Sequence, residues 1–300
     1  MSRIKKVLIT GANGLLGQYL VSKFIKDYNV IACDIMPENF NLINPPQEYH
    51  SIDLTDRSSV RKLLGDMVPD IIINTAAFTN VDNCEDQRDL CWATNVKSIE
   101  IMVETFTSFK PIFVHISTDY VFDGKSAPYR ENDNPKPLGY YGLTKYSSEK
   151  VIRTSNLEYI ITRTQILYGS GQHIRPNFVT WIIDQLKNNK HIQVVNDQKG
   201  NPTYAEDLAY AIYQLIKKEE YGTFHVSGRE SCSRYEFACK IADIFDLDQK
   251  LIEMISTEKL KQKALRPKDS TFVLDKLSNT LDWLPGGIEE SLRRLKLELS

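Results

Sequence analysis

The chain has 300 residues, of which 42% are hydrophobic and 25% charged, and its formal net charge is −2. This composition is ordinary for a globular protein and leaves room for one large α/β domain or a core with a smaller lobe. Near-neutral charge argues against a nucleic-acid partner, and no apolar run is long enough to span a membrane. We therefore expect a cytoplasmic enzyme or binding protein with neither nucleic-acid nor membrane partners.

Short apolar segments alternate with amphipathic ones along the first half of the chain. Strands are predicted at 5–10, 29–34, 49–54, 69–77, 110–118 and 158–164. Helices are predicted from the first glycines to about 27, then at 58–67, where serines could cap the first turn, at 86–108 and at 138–155. Alternating strands and helices predict an α/β fold with a Rossmann-like, doubly wound parallel sheet.

The pattern loosens in the second half. Helices are predicted at 177–189, 205–218, 234–245, 274–281 and 287–299, with one strand at 222–228. We predict a Rossmann-like domain over 1–165 and, over 166–300, mainly a smaller C-terminal α/β lobe that returns to the main sheet at least once. The cysteines and histidines are scattered without ligand or disulfide spacing, so we expect reduced, packed thiols and no metal site.

A glycine pattern follows the first predicted strand. Gly11, Gly14 and Gly17 are spaced G-x-x-G-x-x-G and open a helix. Glycines allow a tight turn and the close approach of a pyrophosphate, which the helix N-terminus then attracts. Asp34 ends the second strand and could accept hydrogen bonds from an adenosine ribose, which favours NAD over NADP. Asp53 ends the third predicted strand and could meet the adenine edge. The domain 1–165 is therefore predicted to bind a dinucleotide.

A tyrosine and a lysine share one face of the helix predicted at 138–155. Tyr141 lies one turn before Lys145 in "YYGLTK". The pKa of a free tyrosine is about 10, and a neighbouring ammonium group lowers it. The pair therefore predicts a general acid and the group that tunes it.

Hydroxyl and carboxyl groups end the fifth predicted strand. Ser117, Thr118 and Asp119 lie in "HISTDYVFDG", at the edge of a parallel sheet where ligands bind. A hydroxyl there can hydrogen-bond a substrate carbonyl. The small residues of "NTAA" (74–77) leave room for a cofactor, and Asn95 could orient water or backbone near Lys145.

With "GANGLLG", "NTAA", "STDYVFDG" and "YYGLTK", the chain resembles the extended short-chain dehydrogenase/reductase family. Within it, "NTAAFTNVDNCE" (74–85), "DQKGNPTYAEDLA" (197–209) and "RPKDS" (266–270) are similar to the dTDP-4-dehydrorhamnose reductases. The resemblance covers nearly the whole chain. It implies hydride delivery from NADPH or NADH to the 4-keto carbon of a nucleotide-linked 6-deoxysugar, with a substrate-binding lobe over 166–300 and a possible homodimer. Because family members use either cofactor despite an acid at this strand end, Asp34 does not settle the choice.

Carried over by position, the resemblance implies a role for each matching residue. The catalytic residues are Thr118, Tyr141 and Lys145, with Ser117 the less favoured hydroxyl. The substrate-binding residues are Thr118, Asp119, Tyr141 and Arg266, the last closing on a nucleotide diphosphate unless 259–268 is only a solvated loop. The cofactor-binding residues are Gly11, Asn13, Gly14, Leu15, Leu16, Gly17, Asp34, Asp53, Leu54, Ala76, Ala77, Phe78, Thr79, Tyr141 and Lys145.

One segment departs from the reductase pattern. "TQILY" (164–168) has Ile166 where many of these reductases have a tryptophan that packs on the substrate. The longer segment "RTQILYG" is as similar to the methionine adenosyltransferase regulatory subunit, which keeps the fold and binds dinucleotide but acts as a partner. Two alternatives therefore stay open: a non-catalytic regulatory subunit, and a sugar-nucleotide epimerase or dehydratase.

Overall fold

The structure is a computed structural model that describes residues 3–38, 45–106 and 109–300. Its strands are β1 Lys6–Thr10, β2 Asn29–Asp34, β3 Glu48–Ser51, β4 Ile71–Asn74, β5 Ile112–Thr118, β6 Tyr159–Thr164, β7 Leu167–Tyr168, β8 Ile192–Val195, β9 Lys199–Gly200, β10 Thr203–Tyr204, β11 Gly222–His225, β12 Cys232–Ser233 and β13 Ile252–Ile255. Its α-helices are α1 Leu15–Phe24, α2 Arg57–Met67, α3 Asn83–Asp86, α4 Arg88–Trp92, α5 Ser98–Thr105, α6 Tyr140–Arg153, α7 Phe178–Lys187, α8 Ala205–Lys217, α9 Arg234–Ile244, α10 Thr257–Leu260, α11 Asp275–Leu281 and α12 Ile288–Glu298.

The main sheet has seven parallel strands in the order β11-β6-β5-β4-β1-β2-β3. The chain first moves outward from β1 to β3 and then restarts on the other side of β1 with β4. This reversal creates a crevice at the carboxyl ends of β1 and β4, where ligands bind in open α/β sheets. The predicted Rossmann-like, doubly wound fold is confirmed.

Both faces of the sheet are covered, which explains why most of its strands are mainly apolar rather than alternating. Val7 and Ile9 of β1 face a core shared with α1 and α8, whereas Leu8 between them faces a core shared with α2 and α5. All three side chains are at most 1% exposed. The strands are thus anchored from both sides, and their polar ends are held at one edge.

Three local predictions differ from the structure. The helix predicted at 86–108 is broken: Gln87 leaves helical geometry between α3 and α4, a π-helical segment covers Ala93–Lys97, and α5 ends at Thr105. The last two residues of that prediction lie outside the described residues. Asp56, rather than a serine, caps α2 by accepting the N–H of Ser58. Asp53 does not end β3, which stops at Ser51.

The second half of the chain contributes to two regions. A third core cluster joins α7, α9 and α12 with the two-stranded sheet β8-β13, which the sequence did not predict. The strand β11 pairs with β6 at the edge of the main sheet, and α8 packs on α1 beneath that sheet. The residues of α8 and β11 pack with the core of the first half. The domain boundary predicted between residues 165 and 166 stays a prediction. None of the described helices combines the length and the apolarity that a bilayer crossing requires.

Candidate active site

The glycine turn between β1 and α1 is packed too tightly for any other residue. Gly11 has φ +68°, and a Cβ there would lie 2.7 Å from the backbone N of Ala76. A Cβ on Gly17 would lie 2.3 Å from the carbonyl oxygen of Gly11. The turn therefore nests against the end of β4. Gly14 caps α1, whose first turn carries no acidic side chain, so its N–H groups present a positive end at this edge.

Two predicted cofactor residues on this helix differ in what they can offer. Leu15 is half-buried, whereas Leu16 is 6% exposed and packs into the core beneath the sheet. A cofactor would therefore meet Leu16 through its backbone only.

Asp34 closes the far side of the glycine turn. One carboxylate oxygen accepts the backbone N–H of Asn13 at 3.1 Å, and the other accepts that of Met36 at 3.2 Å. The Asn13 side chain in turn donates to the carbonyl oxygen of Pro37 at 2.9 Å. The strand-end acid is thus held beside the turn, as expected for a ribose-binding group.

Asp53 and Leu54 are less directly placed. Asp53 is exposed two residues beyond β3, and its carboxylate accepts the backbone N–H and the hydroxyl of Thr55, each at 2.8 Å. Leu54 is half-buried against the core cluster that contains Leu8. The prediction that Asp53 ends a strand is therefore wrong, and its contact with an adenine ring stays a prediction.

The loop after β4 is fastened to α6 by Asn95. The amide oxygen of Asn95 accepts the N–H of Phe78 at 2.7 Å, while its Nδ2 donates to the Phe78 carbonyl at 3.2 Å and to Thr144 Oγ1 at 3.0 Å. Asn95 lies in the π-helical segment and is 1% exposed. It therefore orients backbone beside the turn of α6 that carries Lys145. Ala76, Ala77 and Phe78 are half-buried along this loop, and Thr79 is exposed.

The helix α6 comes into direct contact with the turn that follows β5. A Cβ on Gly142 would lie 2.1 Å from the carbonyl oxygen of Tyr120, so only glycine permits this approach. At the start of α6, Glu85 accepts the N–H of Tyr140 at 2.7 Å. The rings of Tyr120 and Tyr141 meet edge to face, with centroids 6.1 Å apart. The close approach brings Tyr141 to the carboxyl end of β5.

Tyr141 lies beside Thr118, but its pKa moves in the direction opposite to the one predicted. Burial and the nearby Asp119 carboxyl group raise the pKa of Tyr141, whereas a hydrogen bond with the Thr118 side chain lowers it by a smaller amount. Lys145 is not among the groups with the largest effects on this pKa. The predicted lowering of the Tyr141 pKa by Lys145 is therefore wrong for this structure, in which the phenol stays protonated at neutral pH.

Lys145 is directed into the protein, although it shares a face of α6 with Tyr141. It is 3% exposed, and its Nζ lies 3.2 Å from Nε2 of His115 on β5. Burial lowers the pKa of Lys145 to about 8, against the opposing effect of the Glu149 carboxylate. The amine is thus held where it changes charge close to neutral pH.

Asp119 is buried behind Thr118. Its carboxylate accepts the hydroxyl groups of Thr118 at 3.0 Å and Ser270 at 2.6 Å, and burial raises the pKa of Asp119 to about 6 despite the nearby Arg234 guanidinium. Arg234, at the start of α9, also hydrogen-bonds the Tyr120 side chain. Asp119 therefore connects the predicted catalytic hydroxyl of Thr118 to Ser270, in the segment between α10 and α11.

Arg266 lies in the segment between α10 and α11 and reaches the same edge, where it forms an ion pair with Asp82. Its two terminal nitrogens donate to the carboxylate of Asp82 at 2.9 and 2.8 Å, and its side chain is only 10% exposed. This pairing and the nearby Tyr120 raise the pKa of Arg266 against the effect of burial. An incoming diphosphate would have to displace Asp82 from Arg266 or share the guanidinium group with it.

The neighbouring hydroxyl, Ser117, points away from this edge. It donates to Glu149 at 2.6 Å, and Glu149 also accepts two hydrogen bonds from the fully buried Arg163 at 2.9 and 2.8 Å. Arg153 adds a further contact to this carboxylate at 3.0 Å. Ser117 is thus committed to a buried ion pair, which leaves Thr118 as the hydroxyl beside Tyr141.

Neither His115 nor Arg234 was predicted from the sequence to belong to the site. His115 stood among scattered histidines, and its only distinguishing signal was its position two residues before Ser117 in a strand. Arg234 lies far along the chain, and only the packing of α9 against the main domain brings it to Tyr120.

Ile166, the residue that departs from the reductase pattern, has φ +46°, a conformation that strains a β-branched residue.

Within residues 3–38, 45–106 and 109–300, no three His, Cys, Asp or Glu side chains form a group that could hold a metal ion. The predicted lack of a metal site stays a prediction.

Comparison with known proteins agrees with this geometry. The model of a family described as the RmlD substrate binding domain matches residues 5–298. A solved structure titled as dTDP-4-dehydrorhamnose reductase from Bacillus anthracis in complex with NADP is 35% identical, with a TM-score of 0.88 over 99% of this chain and 100% of that one. A dTDP-4-dehydrorhamnose reductase of Aggregatibacter actinomycetemcomitans is 31% identical over 97% of this chain and 98% of its own length. Methionine adenosyltransferase 2 subunit beta of Pongo abelii is 33% identical over 91% of this chain and 81% of its own length. The chain therefore belongs to the RmlD substrate binding domain family, and its resemblance to the extended short-chain dehydrogenase/reductases is confirmed.

Proposed function

We propose that the protein reduces the 4-keto group of a nucleotide-linked 6-deoxysugar with NADPH or NADH. This is the type of reaction for which the dTDP-4-dehydrorhamnose reductases are named. The observation that carries the proposal is the position of Tyr141 beside Thr118, on the sheet edge that also holds the glycine turn. Close similarity to two proteins named as this reductase supports the same substrate class.

The glycine turn fits a dinucleotide. Gly11 and Gly17 leave no space for a side chain, and the N–H groups at the start of α1 face the same edge. Asp34, which is held beside this turn, is proposed to bind the adenosine ribose. NADPH or NADH, when bound, supplies the hydride. The loop around Phe78, which Asn95 fastens to α6, would bound the nicotinamide side of the cofactor.

Tyr141 is proposed as the proton donor. Because its pKa is raised, the phenol carries its proton at neutral pH and can give it to the carbonyl oxygen of the sugar. Thr118 lies beside it and can donate a hydrogen bond to the same oxygen, provided that it gives up its bond to Asp119. A positive charge on Lys145 near Tyr141 would stabilise the phenolate left behind.

Two guanidinium groups are proposed to hold the nucleotide diphosphate. Arg234 and Arg266 both contact Tyr120, beside the end of β5. A planar guanidinium group can donate two parallel hydrogen bonds to two oxygens of one phosphate, which a lysine ammonium group cannot do. Arg266 would exchange its contact with Asp82 for one with the diphosphate.

The test is a panel of nucleotide-linked keto-sugars assayed with NADPH and with NADH. We expect consumption of the cofactor only when a dTDP-linked 4-keto-6-deoxysugar is present. Tyr141→Phe should lose at least about 100-fold in kcat while still binding NADPH, because a general acid contributes at least that much. The matched control is Tyr140→Phe, which changes the adjacent tyrosine that packs on Arg88 and should retain parental turnover. Equal activity of Tyr141→Phe and the parent would refute the assignment of the donor.

A second candidate is a regulatory subunit, favoured by "RTQILYG" and by similarity to the methionine adenosyltransferase 2 beta subunits. The chain covers 81% of such a subunit but 98% of a reductase. The regulatory reading requires co-elution with a methionine adenosyltransferase catalytic chain and no turnover of keto-sugars. The reductase reading requires turnover by the protein alone.

We further propose a cytoplasmic location, no nucleic-acid partner and a homodimer. The five free cysteines suit a reducing compartment, and the net charge of −2 offers no attraction to phosphate backbones. The molar mass measured by light scattering after size-exclusion chromatography tests the dimer, and a monomeric mass would exclude it.

A further inference from the structure

A chain of buried polar side chains crosses the main sheet and ends at Lys145. Thr10 on β1 donates to Asn74 Oδ1 at 2.6 Å, and Asn74 Nδ2 lies 3.3 Å from Nδ1 of His115. On the other side of the ring, Nε2 of His115 lies 2.9 Å from Ser148 Oγ and 3.2 Å from Lys145 Nζ. These side chains are at most 3% exposed. Mainly apolar strands thus carry a polar path, and the proposed reaction uses none of its members except Lys145.

The partners of His115 select one form of its ring. Since Asn74 presents its N–H to Nδ1, that nitrogen accepts, and the ring proton lies on Nε2. Ser148 donates its own hydroxyl proton to the Lys145 carbonyl at 2.7 Å, so its oxygen is free to accept from Nε2. The ring nitrogen nearest Lys145 therefore carries a proton that Ser148 accepts, and the imidazole offers no acceptor to Lys145. That arrangement suits an uncharged amine and opposes an ammonium group, which can only donate.

We propose that His115 is a positioning residue that acts through Lys145, holding the amine beneath the sheet edge and favouring its uncharged form; this inference rests on the proposed function. Charging Lys145 then favours its release from His115 towards the edge where Tyr141 lies. In this way the position of the amine and its charge change together.

The other titratable groups that face Lys145 do not explain this arrangement. Glu149 on α6 favours the charged amine, but it is shared among Ser117, Arg163 and Arg153. The Cys91 thiol on α4 acts in the same direction as Glu149. His115 itself stays neutral, because burial and Lys145 lower its pKa well below the usual value. Burial is the main cause of the lowered pKa of Lys145, and His115 is the facing group that offers the ammonium form no acceptor.

The test compares two substitutions whose expected effects differ in size. In His115→Gln, a side-chain carbonyl can accept from the ammonium group, so the alkaline limb of kcat/KM should move up by about one pH unit. In His115→Leu, the protonated ring nitrogen beside the ammonium group is removed but no acceptor replaces it, so the limb should move up by less than in His115→Gln. His115→Asn provides a second polar variant with the same upward direction. The matched control is His225→Gln, which changes a fully buried histidine on β11 that stacks on Phe272 and should leave the limb unmoved.

The pH dependence of NADPH binding, followed by fluorescence, gives a readout that needs no sugar substrate. The same order of shifts, larger for His115→Gln than for His115→Leu, is expected there. A parent that binds NADPH but reduces no keto-sugar would overturn the proposed function and still allow this test. Polar and apolar variants whose limbs coincide with that of the parent would overturn the role of His115. A loss of activity without any shift of the limb would do the same, because it indicates packing alone.

Discussion

Gly142→Ala should displace the proposed proton donor. An added Cβ would lie 2.1 Å from the carbonyl oxygen of Tyr120, whereas ordinary contact begins at 3.4 Å, so α6 and the turn after β5 must separate by about 1.3 Å. Since the other atom is backbone, no side-chain rotation relieves the contact. Tyr141 lies on α6 and Thr118 lies on the turn side, so the two should move apart. A misplacement of this size costs about 100-fold in rate.

The assay is the steady-state reduction of the 4-keto sugar, with NADPH binding measured separately. We expect kcat to fall about 100-fold and the free energy of unfolding to drop by about 1–3 kcal/mol. The matched control is Gly65→Ala in α2, where an added Cβ meets nothing within 4 Å. That variant should gain about 0.5–1 kcal/mol in stability and keep its activity. Parental turnover by Gly142→Ala would refute the argument that close approach at Gly142 positions Tyr141.

Three further predictions concern buried charges. Glu149→Gln leaves Arg163 as a fully buried, unpaired cation, so urea unfolding should show a loss of about 3–5 kcal/mol, against about 0.5 or less for the exposed Glu289→Gln; equal losses would contradict this. Burial raises the pKa of Asp119 from 3.8 to about 6, so its stabilising contribution is complete below 3.8 and is lost as pH rises through about 6. Relative to the parent, Asp119→Asn should therefore gain up to about 3 kcal/mol between acidic and neutral pH, and a pH-independent difference would count against it. Arg266→Lys should raise the KM for the nucleotide sugar about tenfold or more without weakening NADPH binding, whereas an unchanged KM would remove Arg266 from the site.

The main sheet was predictable because its physical signal is local. Each of its strands begins within two residues of the predicted start. Most of them are runs of buried β-branched residues flanked by turns, which have few alternative structures. The strands β8 and β13 were not predicted. They pair with each other across the second half, and four-residue segments carry little periodicity of their own. The break at Gln87 also left no signal in composition.

The proximity of the candidate catalytic residues was predictable, whereas their electrostatics were not. Spacing and resemblance indicated Thr118, Tyr141 and Lys145, and the fold places all three near the end of β5. Spacing on a helix face does not state where a long side chain ends, and Lys145 extends to His115 instead of the phenol. The ion pair between Arg266 and Asp82 likewise depends on tertiary packing.

The central claim is that a hydride passes from nicotinamide to the keto carbon of the sugar. The most direct measurement uses NADPH that carries deuterium at the transferring position and follows the sugar product by mass spectrometry. The account predicts one deuterium in the sugar for each cofactor oxidised, with Tyr141→Phe slowing its appearance. Product that forms without deuterium, or no product at all, would contradict the account.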